Sequence, residues 1–158
     1  MNKVIFIREN ILMFLIIILI FLLDRLSKIF MLNNLSENLI YINDFINFDL
    51  IWNTGVGFGL LSSSSTLMYN TISIIVGIIV FYLIFLSLKS DKFDKIAFSL
   101  IIGGALGNFY DRIFFKAVPD FIDIHYGNFH WFTFNIADIF ITIGVICFIT
   151  KDFFVKDK

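Results

Sequence analysis

The chain is expected to be an all-α integral membrane protein: four transmembrane helices carrying a small β-containing part on the outer face. Three observations predict this. Of the 158 residues, 59% are hydrophobic and only 16% charged, where soluble domains carry about 25% charged residues. The apolar residues fall in four long runs, each near the roughly 20 residues of helix that cross a bilayer core. The 12 Lys and Arg residues are also distributed unevenly among the segments between those runs.

The first span is read over Ile11–Leu32 and includes the polar insert Asp24–Lys28. Lys3 and Arg8 before an apolar centre could also mark a signal peptide. No small-residue cleavage site follows, and Asp24-Arg25 stands where one belongs, so the span is read as uncleaved. The outer loop 33–66 contains no Lys or Arg. Within it Ile46, Phe48, Leu50 and Trp52 nearly alternate with Asn47, Asp49 and Ile51, which predicts a short strand with one apolar face. Gly55, Gly57 and Gly59 follow, implying turns or close backbone approach, and Ser62–Ser65 links to the second span, Leu67 to about Leu88. A charged loop, 89–95, precedes the third span, Ile96 to about Ile113. The outer loop 114–131 carries turn chemistry at Gly127-Asn128, and the fourth span covers Phe132 to about Thr150. No internal repeat divides residues 1–158, which are read as one domain.

Eight basic residues lie on one side of this arrangement: Lys3, Arg8, Lys89, Lys92, Lys95, Lys151, Lys156 and Lys158. Basic loops stay in the cytoplasm, so both termini are expected there. A net charge of −1 gives no electrostatic case for nucleic acid. The lone Cys147 reads as a small apolar packing residue. His125 and His130 lack companions at metal-ligand spacing and are read as solvated or interfacial; no metal or cofactor is expected.

With that topology the buried polar residues converge. Asp24 and Lys28 come late in an outward-running helix and, four residues apart, can pair. Asn108, Asp111 and Arg112 end a second outward-running helix. Asn135 and Asp138 open an inward-running one and share a face, and Asp120 enters from the outer loop. Ionisable groups are costly at membrane depth, so such a cluster is a candidate functional site. Two carboxylates in a dry site do not both ionise easily; one holds a proton as general acid while the other activates water. Asp120 and Asp138 are the best such pair. Asp111, beside Arg112, is read as an ion-paired structural carboxylate, because an unpaired buried Arg is costly. Ser27 beside Lys28 offers a rival Ser-Lys pair, but helix neighbours point in different directions. A proton-coupled transporter is the alternative of another class, although such sites lie near the midplane, often within repeats.

Four blocks, Asp24-Arg25-Leu26-Ser27-Lys28, Asn53-x-Gly55, Gly103-Gly104-Ala105-Leu106-Gly107-Asn108-x-x-Asp111-Arg112 with Val118-x-Asp120-Phe121, and Phe134-Asn135-x-Ala137-Asp138, resemble those of the bacterial lipoprotein signal peptidases (signal peptidase II). The resemblance implies a four-helix aspartyl endopeptidase of the bacterial cytoplasmic membrane, active at its outer face. It would work as a monomer among membrane lipid and cleave prolipoproteins just before a diacylglyceryl-modified cysteine. By that analogy Asp120 and Asp138 are catalytic. Asp24, Lys28, Asn53, Gly55, Asn108, Arg112 and Asn135 would shape the site and hold substrate. Val56-Gly57-Phe58 departs from the family pattern after the glycine, and Pro119 before Asp120 stiffens its approach.

Overall fold

The computed structural model describes residues 3–35, 39–55 and 66–155. Val56-Gly57-Phe58, Gly59, the Ser62–Ser65 linker, Lys156 and Lys158 lie outside the described residues. In chain order the elements are α1 (Lys3–Asn34), β1 (Ile40–Asn43), β2 (Ile46–Asn53), α2 (Thr66–Lys89), α3 (Lys92–Phe115), β3 (Val118–Tyr126), β4 (Phe129–Phe134) and α4 (Ile136–Val155). Two stretches, Ile7–Asn34 and Tyr69–Lys89, are long and apolar enough to cross a membrane by length and composition.

The third helix is the hub and packs against the other three. Met13 and Ile17 of α1, Val80 of α2, and Phe98 and Ile102 of α3 form the buried apolar core. Outward faces of α1 and α2 remain apolar, with Leu15, Leu19, Ile74, Ile78 and Phe81 all exposed. A helix apolar all round is at home in lipid rather than in water. The charged segment expected as a loop over 89–95 mostly belongs to helices. Asp91 caps α3 by accepting from the Asp94 N–H at 3.0 Å, so the helix begins at Lys92, four residues before the expected start. At its other end Lys116 adopts the left-handed conformation (φ 60°) that closes many helices.

The strand expected around residues 46–52 is β2. The sheet is larger than that expectation: four antiparallel strands in the order β1-β2-β3-β4. Gly127 (φ 58°) turns β3 into β4, where the Gly-Asn pair predicted a turn. Phe132–Phe134 is therefore strand, not the start of the fourth helix, and α4 begins only at Ile136. A short apolar run does not distinguish the two by periodicity. The irregularity between Phe48 and Ile51 in the β2–β3 pairing sets Asp120 opposite Ile51 and Val118 opposite Asn53.

Close helix approach depends on glycine at two points. A Cβ on Gly107 would lie 2.4 Å from Asp24 Oδ2, and one on Gly104 would lie 2.4 Å from the Ala137 carbonyl oxygen. The second obstacle is backbone and cannot swing aside. Overpacking costs about 1–3 kcal/mol, against about 1 kcal/mol gained in helix propensity. Gly104→Ala is therefore expected to lower unfolding free energy by about 1–2 kcal/mol in a denaturant titration, the backbone obstacle putting the cost in the upper part of that range; an unchanged or raised stability would show that α3 and α4 have room to part.

Candidate active site

The ends of α1 and α3 bring four charges together. Lys28, 1% exposed, directs its ammonium at Asp24 Oδ2 (2.9 Å), Asn108 Oδ1 (2.8 Å) and Asp111 Oδ2 (2.7 Å). Three donors meet three acceptors, which saturates the group. Arg25 reaches across to Asp111 with both terminal nitrogens, Nη1 2.6 Å from Oδ1 and Nη2 2.7 Å from Oδ2. Its Nη2 also lies 3.1 Å from Asp24, and its guanidinium sits 4.8 Å over the Tyr110 ring. Two carboxylates and two cations thus neutralise one another out of water.

The fourth helix is tied to this cluster. The Ala137 N–H donates to Asp24 Oδ1 at 3.1 Å, placing a carboxylate at a helix N-terminus where it is favoured. Asn135 sits just before α4 rather than inside it. Its Oδ1 accepts from the Asp138 N–H at 3.1 Å, while its own backbone N–H donates to Asp138 Oδ2 at 3.1 Å. This is a reciprocal capping box built from Asn and Asp. It fixes the Asp138 side chain at the entrance to α4.

From that point a chain of amides connects the two candidate carboxylates. Asn108 Nδ2 donates to Asp138 Oδ1 (2.8 Å), and Asn135 Nδ2 donates both to Asn108 Oδ1 (3.1 Å) and to Asp120 Oδ1 (2.5 Å). Asn53 Nδ2 donates to the other Asp120 oxygen at 2.9 Å. Asp120 is buried, and Asp138 is only partly so. Burial pushes the Asp120 carboxyl up to about 7, with the nearby Asp138 charge adding to the rise; the bonds from Asn53 and Asn135 oppose it.

Arg112 does not pair with Asp111, as the sequence neighbours suggested. Adjacent helical residues diverge, and Asp111 turns to Arg25 and Lys28 on α1. Arg112 instead donates to the Asn108 carbonyl (3.2 Å) and, through Nη2, to the Gly55 carbonyl (2.8 Å). Gly55 is held a second time, its N–H donating to Asn53 Oδ1 at 2.8 Å. The Tyr69 hydroxyl donates to the Arg112 carbonyl at 2.9 Å. Arg25 and Tyr69 carry no role in the sequence reading. A charge count could have found Arg25, since two buried carboxylates require two cations; nothing in the sequence pointed to Tyr69. Ser27 donates to the Asp24 carbonyl at 2.8 Å, and with Lys28 engaged by its three acceptors no Ser-Lys pair forms. Of the two histidines, His130 is exposed as expected, whereas His125 is buried and stacks on it, ring centroids 5.4 Å apart. His130 Nδ1 lies 2.7 Å from Asp123 Oδ2. Cross-strand pairing of His125 with His130 brings the two rings together.

Two apolar cavities flank Asp138. One, about 310 Å³, lies between α2, α3 and α4, with Asn108, Arg112 and Asp138 among its walls. The other, about 250 Å³, lies between β4 and α4. All the residues expected at the site are thus in one connected network reaching from Asp24 to Gly55.

Residues 16–154 match the family model described as signal peptidase (SPase) II. The chain belongs to the signal peptidase II family. A lipoprotein signal peptidase of Pelagibacter ubique is 49% identical over 146 residues, covering 90% of this chain and 88% of the relative. One from Francisella tularensis subsp. novicida is 43% identical over 151 residues, covering 92% and 93%. A solved bacterial membrane enzyme superposes with a TM-score of 0.75 at 31% identity, covering 92% of this chain and 91% of its own. Membership of the signal peptidase II family makes the chain a membrane-bound protease, and the transporter alternative falls with it.

The elevated Asp120 carboxyl has a consequence for stability. The folded state keeps a proton that the unfolded chain releases near its ordinary 3.8. The associated stabilisation, on the order of 4 kcal/mol, is fully present below about pH 4 and lost as pH rises to about 7. Unfolding free energies of the wild-type chain and Asp120→Asn, compared from pH 4 to 8, should show a steeper decline in the wild type. A difference independent of pH would mean that Asp120 titrates normally.

Proposed function

We propose that the chain is an aspartic endopeptidase that removes signal peptides from prolipoproteins, cutting just before a diacylglyceryl-modified cysteine, with Asp120 and Asp138 as its catalytic pair. The observation that carries this reading is the amide bridge. Asn135 and Asn108 hold a buried carboxyl from β3 and a partly exposed one from α4 in a single array beside two apolar cavities. The names of the relatives supply the substrate class.

Asp120, raised to about 7, is suited to hold the shared proton. Asp138 receives donors from Asn108 and from the capping N–H, and faces the cavities, so it is placed to bind water as a carboxylate. Asp138 takes a proton from that water as its oxygen attacks the scissile carbonyl. Asp120 gives its proton to the carbonyl oxygen, and a tetrahedral diol forms. On collapse the C–N bond breaks, Asp138 returns its proton to the leaving amine, and Asp120 recovers one from the diol hydroxyl. The pair is restored, and one water has been consumed. No cofactor is required.

The same proposal places all four helices across the bacterial cytoplasmic membrane as spans of one domain, residues 1–158, working as a monomer. The 24 residues of α3 and the 20 of α4 suffice for a bilayer core. The basic residues put both termini in the cytoplasm and the catalytic pair toward the outer face. Asp24, Lys28, Asn53, Gly55, Asn108, Arg112 and Asn135 shape this site, and Asp111 serves as a structural carboxylate.

Asp120→Asn and Asp138→Asn should each lower cleavage of a lipidated prolipoprotein by about 10²–10⁴-fold or more, with the double variant little worse than either single one. Asp111→Asn should lower folded yield more than turnover per folded molecule. Rates normalised to folded protein decide the matter: near-normal turnover in either dyad variant, with Asp111→Asn well folded and inactive, would identify a different catalytic pair.

A further inference from the structure

The two cavities beside Asp138 differ in what they can hold, and the difference assigns them. The fourth helix turns about 100° per residue, so Ile141, Asp138, Thr142, Ile139 and Ile143 follow one another around its circumference in that order. Ile141 faces the cleft between α2, α3 and α4; Ile139 and Ile143 face the groove under β4; Asp138 and Thr142 border both. The catalytic carboxylate thus stands on a ridge between two apolar compartments.

The cleft offers Asn108 and Arg112 as well as Asp138, and Arg112 Nε is buried there without a hydrogen-bond partner. The groove under β4 is otherwise walled by Phe132, Phe134, Ile139 and Ile143, its only polar side chains among the described residues being the two on the ridge. A peptide brings backbone N–H and C=O groups that require partners away from water. A hydrocarbon chain brings none. We propose that the groove between β4 and α4 seats an acyl chain of the lipidated cysteine, while the cleft between α2, α3 and α4 takes the signal peptide. This inference rests on the reading of the chain as a peptidase of lipidated substrates. A bond cut on the ridge then has its peptide on one side and the lipid of its cysteine on the other. Bilayer tails are as apolar as the groove, so seating the chain adds little affinity. Its contribution is position: a chain lodged beside Ile143 fixes the thioether, and with it the carbonyl facing Asp138.

The test compares cleavage of one prolipoprotein peptide carrying either a dipalmitoyl or a diacetyl glyceryl group, using purified full-length protein in lipid. Ile143→Trp fills the groove from an exposed position (43% exposed). It should lower the ratio of dipalmitoyl to diacetyl rates by roughly tenfold or more, the scale of a small misplacement of a reacting group. Ile79→Trp, in the cleft, should slow both substrates and leave their ratio unchanged. Ile143→Phe carries the comparison if tryptophan reduces folded yield. An unchanged ratio in the Ile143 variants, or a changed one in Ile79→Trp, overturns the assignment while leaving the peptidase reading intact. Failure of the wild-type protein to cut either substrate would overturn the peptidase reading and this assignment with it.

Discussion

Everything at this site depends on one arrangement, the neutral cluster of Lys28, Arg25, Asp24 and Asp111. An isolated buried charge costs several kcal/mol even after relaxation, and a matched set is tolerated only with near-complete hydrogen bonding. Here every charged group of the four is engaged by another helix or by its partner on α1. The requirement is geometric as well as electrostatic. Lys28 satisfies its third donor on Asn108, and Asp24 uses its second oxygen on the N-terminus of α4. Neutralising the charges therefore also sets the register of α1, α3 and α4, and that register carries the amides that hold the Asp120 and Asp138 carboxylates.

The amide bridge translates this scaffold into chemistry. Asn108 and Asn135 each donate to one carboxylate of the pair and bond to each other. Neither carboxylate is neutralised by a cation in direct contact among the described residues; amides alone hold them, as the proposed sharing of a proton between them requires. Amides suit this task, because they orient a carboxylate without fixing its charge as a lysine would. Close contact at Gly104 and Gly107 is part of the same design: any side chain there would push α4 or Asp24 away from α3.

Much of the site was legible because ionisable residues in apolar runs have few places to go. Asp24, Lys28, Asn108, Asp111, Asn135 and Asp138 could be placed at one level from span directions alone. The Asp24–Lys28 pair followed from its four-residue spacing. Less legible was the outer sheet. Residues Val118–Phe121 of β3 are all buried, so the alternation that revealed β2 is absent there. Phe132–Phe134 runs directly into an apolar helix and hides the boundary at Asn135. The Asn-x-x-Asp spacing of Asn135 and Asp138 was a readable cap that would have started α4 correctly. Adjacency in the sequence points Asp111 to Arg112, whereas side chains on neighbouring helical positions point apart.

The claim that charge balance, and not any single contact, holds the site together is tested most directly by a double-mutant cycle in unfolding free energy. Lys28→Met leaves the cluster with one uncompensated carboxylate, and breaking a buried pair in this way costs about 3–5 kcal/mol. Adding Asp111→Asn restores neutrality, with Arg25 and Asp24 remaining as a pair. The account predicts that the double variant is more stable than Lys28→Met alone, with a coupling of roughly 1–3 kcal/mol. Losses that simply add, or a double variant less stable than either single one, would contradict it.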